Sequence, residues 1–274
     1  MKSIDDLLKI METLRAPDKG CPWDREQTHH TILPHTIEEV YEIAEAIQSG
    51  DTSRFKDELG DLLFQIIFYC QIASEHDDFD LNDVVTNLKH KLTRRHPHVF
   101  ADTKIESASD LSRRWEQVKR QERQEKGIRD DGILDNISSA MPALIHAKKL
   151  QKKAATVGFD WDDTAPVFDK VEEELAEIKA EIANDESSEK IAEEVGDMLF
   201  ACVNLARHLN VDAETALMSA NRKFKQRFHY IETKLNEQGK ALDEASLDEM
   251  DALWDESKSS EEGKLLAWSA DSKG

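Results

Sequence analysis

Glycine and proline are scarce in this chain of 274 residues, at ten and six. So few forced turns, among polar stretches rich in Glu, Lys, Ala, Gln and Leu, are the composition of an all-helical protein. Cysteine is scarcer still. Cys21, Cys70 and Cys202 are far apart, odd in number and form no C-x-x-C pair, so neither a disulfide framework nor a zinc site is implied. Long apolar runs are missing as well. The longest, "LLFQIIFYC" at 62–70, is broken by Gln65 and falls far short of a membrane span. The acidic, periodic opening "MKSIDDLLKIMETLRAP" is unlike a signal peptide, so a cytoplasmic protein with no membrane partner is expected. Basic residues are outnumbered 36 to 57, for a formal charge of −21. Such a surface disfavours binding to a nucleic acid polymer, where affinity comes from neutralising phosphates. Any phosphate ligand needs a local cation, and with no G-x-x-x-x-G-K-[ST] loop present that cation is not a P-loop lysine.

What the chain does contain, it contains twice. "DELGDLLF" at 57–64 returns as "EEVGDMLF" at 193–200, a shift of 193 − 57 = 136 residues. In the same order, "GCPWD" (20–24) matches "GFDWD" (158–162), and "EEVYE" (38–42) matches "EELAE" (173–177). Further on, "KLTRRH" (91–96) matches "KFKQRF" (223–228), and "WEQVK" (115–119) matches "WDESK" (254–258). Five blocks in one order indicate duplicated helical-bundle domains. The expected boundaries are 1–120 and 141–274, with the charged stretch 121–140 as linker. Within the first copy the periodicity predicts helices over 37–48, from about Phe55 to Ser74 with Asp51 or Ser53 as N-cap, and from about Leu81. The counterparts are expected to start near Val167, Glu189 and Ala213.

The acids carry the chemistry. Glu39 and Glu42 are three apart, as are Glu58 and Asp61, and residues three apart share a helix face. Two antiparallel helices presenting such pairs would converge four carboxylates, and Glu174, Glu177, Glu194 and Asp197 repeat the arrangement. On the first helix, a wheel sets Glu39 and Glu42 away from the Ile37/Val40/Ala44 stripe, which alone would read as a solvated face. The second helix argues otherwise. Below Glu58 and Asp61 it is apolar nearly all round, and acids at the head of a buried helix are costly without a cation. Oxygen-only ligands suit Mg²⁺ or Mn²⁺. A ferritin-type di-iron bundle would need Glu-x-x-His pairs, and neither motif carries histidine. Lys223 and Arg227 at i, i+4, echoed by Lys91 and Arg95, supply cations; Trp254 with Lys258, echoed by Trp115 with Lys119, adds an aromatic. Carboxylate-bound metal beside these groups describes a receptor for a nucleotide polyphosphate.

The order EExxE, then ExxD about sixteen residues later, then Lys-x-x-x-Arg on a following helix resembles the MazG nucleoside triphosphate pyrophosphohydrolases of the all-α superfamily. The likeness runs to about residue 258. It implies Mg²⁺-dependent hydrolysis of NTPs between the α and β phosphates to NMP and pyrophosphate, a homodimer, a broad base range and nucleotide-pool housekeeping. Carried onto this sequence, it makes Glu174, Glu177, Glu194 and Asp197 metal ligands, with Glu39, Glu42, Glu58 and Asp61 as the first-copy set. Lys223, Arg227, Trp254 and Lys258 would contact the nucleotide, and Glu173 would orient the attacking water. Where the second copy has Asn204 and His208, the first has Phe68 and Ile72, so the second copy is expected to be the principal catalytic one, with Asn204 among its nucleotide contacts. A non-catalytic nucleotide or alarmone sensor is the alternative, and a purely structural helical dimer a third.

Overall fold

The computed structural model describes residues 2–100, 118, 121, 122, 125, 127, 132–135 and 137–271. Among them there is no strand, and no helix is long and apolar enough to cross a membrane. The chain divides into two compact units, Met1–Arg129 and Asp130–Gly274. The division falls inside the stretch expected to be linker, much of which lies outside the described residues.

The first unit comprises α1 (Lys2–Leu14), α2 (Pro22–Glu26), α3 (His29–Ser49), α4 (Thr52–Ser74), α5 (Leu81–Arg95) and α6 (Pro97–Phe100). The second comprises α7 (Ala143–Ala155), α8 (Ala165–Ala183), α9 (Ser188–His208), α10 (Ala213–Glu237), a 3₁₀ turn at Leu242–Glu244 and α11 (Leu247–Asp271). Local chemistry sets these limits. Thr28 and Thr31 form a capping box at the start of α3, and Gly50 ends that helix in the left-handed region at φ 72°. One residue later Asp51 caps α4, its carboxylate accepting from Ser53 N and Arg54 N at 3.0 Å. Ser187 caps α9 and Asp212 caps α10 by the same device.

In each unit one antiparallel helix pair, α3 with α4 and α8 with α9, forms the main packing, and a preceding helix, α1 or α7, lies against the second member. As its apolar run suggested, α4 is buried at Gln65, Ile67, Phe68, Cys70, Ile72 and Ala73. The wheel for α3 comes out reversed. Ile37, Val40, Tyr41 and Ile47 are exposed, Val40 by half, whereas Ile32 and Ala46 are buried and Glu39 and Glu42 half-buried. The apolar stripe therefore faces away from the unit's own core, and the acids face α4. The same holds on α8, where Leu175 and Ile182 are exposed and Glu174 is buried. In both repeats of the motif the mid-helix glycine, Gly60 or Gly196, would place an added Cβ in open space.

On α5 the first-copy basic block is already engaged. Buried Glu122 accepts from Arg94 Nε at 3.1 Å and Arg95 Nε at 3.2 Å. Those bonds, the Arg95 one first, hold its carboxyl at about 2 instead of 4.5. A depressed acid stabilises the fold above its ordinary value and loses that contribution as the pH falls toward the folded value. Glu122→Gln is expected to lower unfolding free energy by about 1–2 kcal/mol at pH 7. The gap from wild type should narrow steadily below pH 4.5, read in denaturant melts at several pH values.

Candidate functional site

Facing helices bring the acids together in both units. In the second, Glu174 of α8 meets Glu194 and Asp197 of α9, each offering a carboxylate oxygen within 4.8 Å of the others. In the first, Glu39 of α3 meets Glu58 and Asp61 of α4 under the same limit. The fourth acids stand beside these triplets. Glu177, one turn past Glu174, stands beside it and feels its charge, and Glu42 adds its charge to Glu39. Thus each expected set of four is three converging carboxylates and one neighbour.

Crowding leaves an electrostatic signature. Burial, then the charges of Glu174 and Asp197, push the Glu194 carboxyl above its ordinary value. Burial and the Glu174 contact do the same to Glu177. Glu39 is raised by burial, then by Asp61, Glu42 and Glu58. Among the described residues, each triplet has one ion-paired cation at its edge. Lys170 Nζ lies 2.7 Å from Glu174 and 3.0 Å from Glu173, and Arg54 Nε lies 3.0 Å from Glu58. Glu173 is therefore drawn to Lys170 and lies outside the triplet. One monovalent cation for several carboxylates leaves the donors short of positive charge, and hard oxygens alone at this spacing fit a small divalent ion.

Glu174 and Asp197 also belong to the wall of a cavity of about 730 Å³. Its apolar side is made by Leu150, Phe159, Trp161, Val167 and Phe200, with Leu134 contributed from the chain before α7. Polar groups are few and held in place. Arg207 clamps Asp160, donating Nη1 to Oδ2 at 2.8 Å and Nη2 to Oδ1, and His208 Nε2 lies 3.0 Å from Oδ1. The Arg207 bonds, more than His208, hold the Asp160 carboxyl below its ordinary value. Arg207 also donates to Asn204 Oδ1 at 2.9 and 2.7 Å, while Gln151 donates to the Phe200 carbonyl at 2.8 Å. Sequence reasoning found Asn204 but assigned no part to Lys170, Asp160, Arg207 or Gln151. Asp160 and Trp161 do sit in the repeated "GFDWD" block, which was the available signal.

At corresponding positions the first unit is filled. Phe68, where the second copy has Asn204, is fully buried, clustered with Met11, Ile32, Ile67 and Ile72. Arg15 lies over its ring at 5.3 Å and reaches Glu75 from Nε at 2.8 Å. The basic residues of the second copy stand elsewhere. Lys223 and Arg227 are on α10, with the Arg227 guanidinium 5.5 Å from the Trp254 ring of α11. Lys258 pairs with Asp255 at 2.7 Å. None of these four lines the cavity. Trp115 and Lys119 lie outside the described residues.

The sequence model of the MazG nucleotide pyrophosphohydrolase domain matches residues 27–100 and again 166–231, the two segments that carry the two acid triplets. The chain belongs to the MazG family. Its MazG domain is duplicated and all-α, and it is a hydrolase. Among full-length relatives, the nucleoside triphosphate pyrophosphohydrolase of Escherichia coli K12 is 47% identical over 95% of this chain and 99% of its own. The nucleoside triphosphate pyrophosphohydrolase/pyrophosphatase MazG of Thermotoga maritima is 43% identical, over 94% of this chain and 96% of its own.

Proposed function

We propose that the chain hydrolyses nucleoside triphosphates between the α and β phosphates, releasing NMP and pyrophosphate, with the second unit as the principal catalytic site. One observation carries this reading: an oxygen-only acid triplet shares a wall with a cavity large enough for a nucleoside, and only the first unit has filled that region with core. Glu174, Glu194 and Asp197, with Glu177 alongside, would hold Mg²⁺, or Mn²⁺ in its place. Such an ion supplies charge neutralisation for the triphosphate and a more acidic bound water. The protein's own groups position and orient. Lys170 steadies Glu174, and Glu173, next in sequence and more than half exposed, is the carboxylate assigned to orienting the attacking water. Lys223, Arg227, Trp254 and Lys258 are assigned to nucleotide contacts outside the cavity.

The lining of the cavity is mostly apolar, which fits a broad base range and housekeeping of the cytoplasmic nucleotide pool. The exposed apolar stripes of α3 and α8 fit a homodimer. The first unit, with a triplet but a closed interior, fits a lesser or regulatory site.

Incubation with a panel of NTPs and Mg²⁺, with products resolved by ion-exchange chromatography, should yield NMP and pyrophosphate. NDP and phosphate would move the reaction to another bond. Tight binding without product would make the protein a nucleotide sensor. Metal binding is read separately. Millimolar Mg²⁺ is expected to raise the melting temperature by a few degrees, by linkage. Glu194→Ala should lose part of that rise, and Glu58→Ala combined with it the remainder; an unchanged rise in the double variant would place the metal elsewhere.

A further inference from the structure

We propose that Asn204 is a specificity-determining residue that presents hydrogen-bond donors, and no acceptor, to the nucleobase, and that Arg207 and Asp160 fix it in that sense. The proposal rests on the nucleotide reading above. The orientation of a carboxamide is normally ambiguous and must come from its neighbours. Here they settle it. A guanidinium only donates, and Arg207 sends both Nε and Nη2 to one atom of Asn204, which must therefore be the oxygen. Arg207 cannot swing aside easily, because Asp160 grips its far edge in a two-pronged contact and His208 joins the same carboxylate.

With its oxygen committed, Asn204 has its amide N–H groups left, and no partner for them occurs among the described residues. The residue is 7% exposed and lines the cavity. A ligand that displaces water from this wall and supplies an acceptor is favoured over one that displaces the water and supplies none. Position narrows the acceptor. Asn204 is seven residues beyond Asp197 on α9, about 10 Å along the helix axis. That is comparable with the reach of a nucleotide from its phosphates to its base. Around the donors stand Phe159, Trp161, Leu150 and Phe200, surfaces against which a flat ring can pack. Phe159, 82% exposed, has a face available for this. The Asn204 donors fit a wide base range as well, because every natural base carries a ring nitrogen or carbonyl that can accept; the unpaired Gln151 Oε1 on the same lining is an acceptor.

The test compares dTTP with the triphosphate of its difluorotoluene isostere, which keeps the shape of thymine but accepts hydrogen bonds poorly. Wild type should favour dTTP about ten-fold or more in kcat/KM, mainly through KM. Asn204→Asp keeps the size and both Arg207 contacts and puts a carboxylate oxygen in place of the donors; its preference should fall to one or below. Asp160→Asn, which loosens the clamp, should fall between. A wild-type preference near one, or a preference unchanged in Asn204→Asp, overturns the assignment. Should neither triphosphate be split, the hydrolase reading fails on its own. The same ratio, measured as dissociation constants by calorimetry, then decides for or against Asn204.

Discussion

Glu174→Ala is expected to reduce NTP hydrolysis roughly a thousand-fold, since several kcal/mol of transition-state charge stabilisation depends on the ion its cluster would hold. The same truncation at Glu39 should leave most of the activity. Both residues face two acids from the next helix at the same spacing, so the acid motif alone does not separate them. What separates them is the surrounding space. Glu174 is 4% exposed and shares its wall with the cavity, while the first unit buries Met11, Ile32, Phe68 and Ile72 together. Steady-state assays on the two variants, with melting temperatures recorded to exclude unfolding, make the comparison. Equal loss in both would mean that the copies work as one site. Loss only in Glu39→Ala would reverse the assignment of catalysis.

The largest expected effect on stability lies in the other unit. Phe68 is fully buried, meets Phe64 edge-on at 5.7 Å between ring centroids and carries the Arg15 guanidinium on its face. Removing a ring from such a site forfeits its transfer free energy and leaves a cavity that helices can only partly close. Phe68→Ala should therefore cost about 3–5 kcal/mol in denaturant unfolding. Arg15 would lose one contact but keep Glu75 and the Gln27 carbonyl, so relaxation around it is limited. A cost below about 1 kcal/mol would show that the first unit's core is more plastic than its packing implies.

Much of this architecture is legible in the chain before any coordinates. Helix limits follow from caps written locally, such as Asp51 for α4 and Gly50 for the end of α3, and the acid triplets follow from a spacing that occurs twice. Taken alone, α3 would send its acids to solvent, because a wheel ranks a helix by its own apolar residues; only the run on α4 points them inward. A wheel cannot know that Ile37, Val40 and Tyr41 are left outside the unit while Glu39 turns toward α4. Three cavity residues, Asp160, Arg207 and Gln151, stayed hidden for a different reason. Asp160 and Arg207 are 47 positions apart, Gln151 and Phe200 are 49 apart, and no local pattern announces either pairing. Lys170 could have been found, being four residues before Glu174 on one helix, but it looked like an ordinary surface pair.

The contrast between a filled interior in one unit and an open one in the other bears on how the chain tolerates change. Core substitutions near Met11 or Phe68 would shorten the lifetime of the folded protein while leaving turnover per folded molecule nearly intact. Changes along the cavity face of α9, where side chains already border open space, would lower turnover and barely shift the melting point. Loss-of-function variants should accordingly sort by sequence half into unstable and inactive classes, and a random library scored for both abundance and activity would show two populations with little overlap.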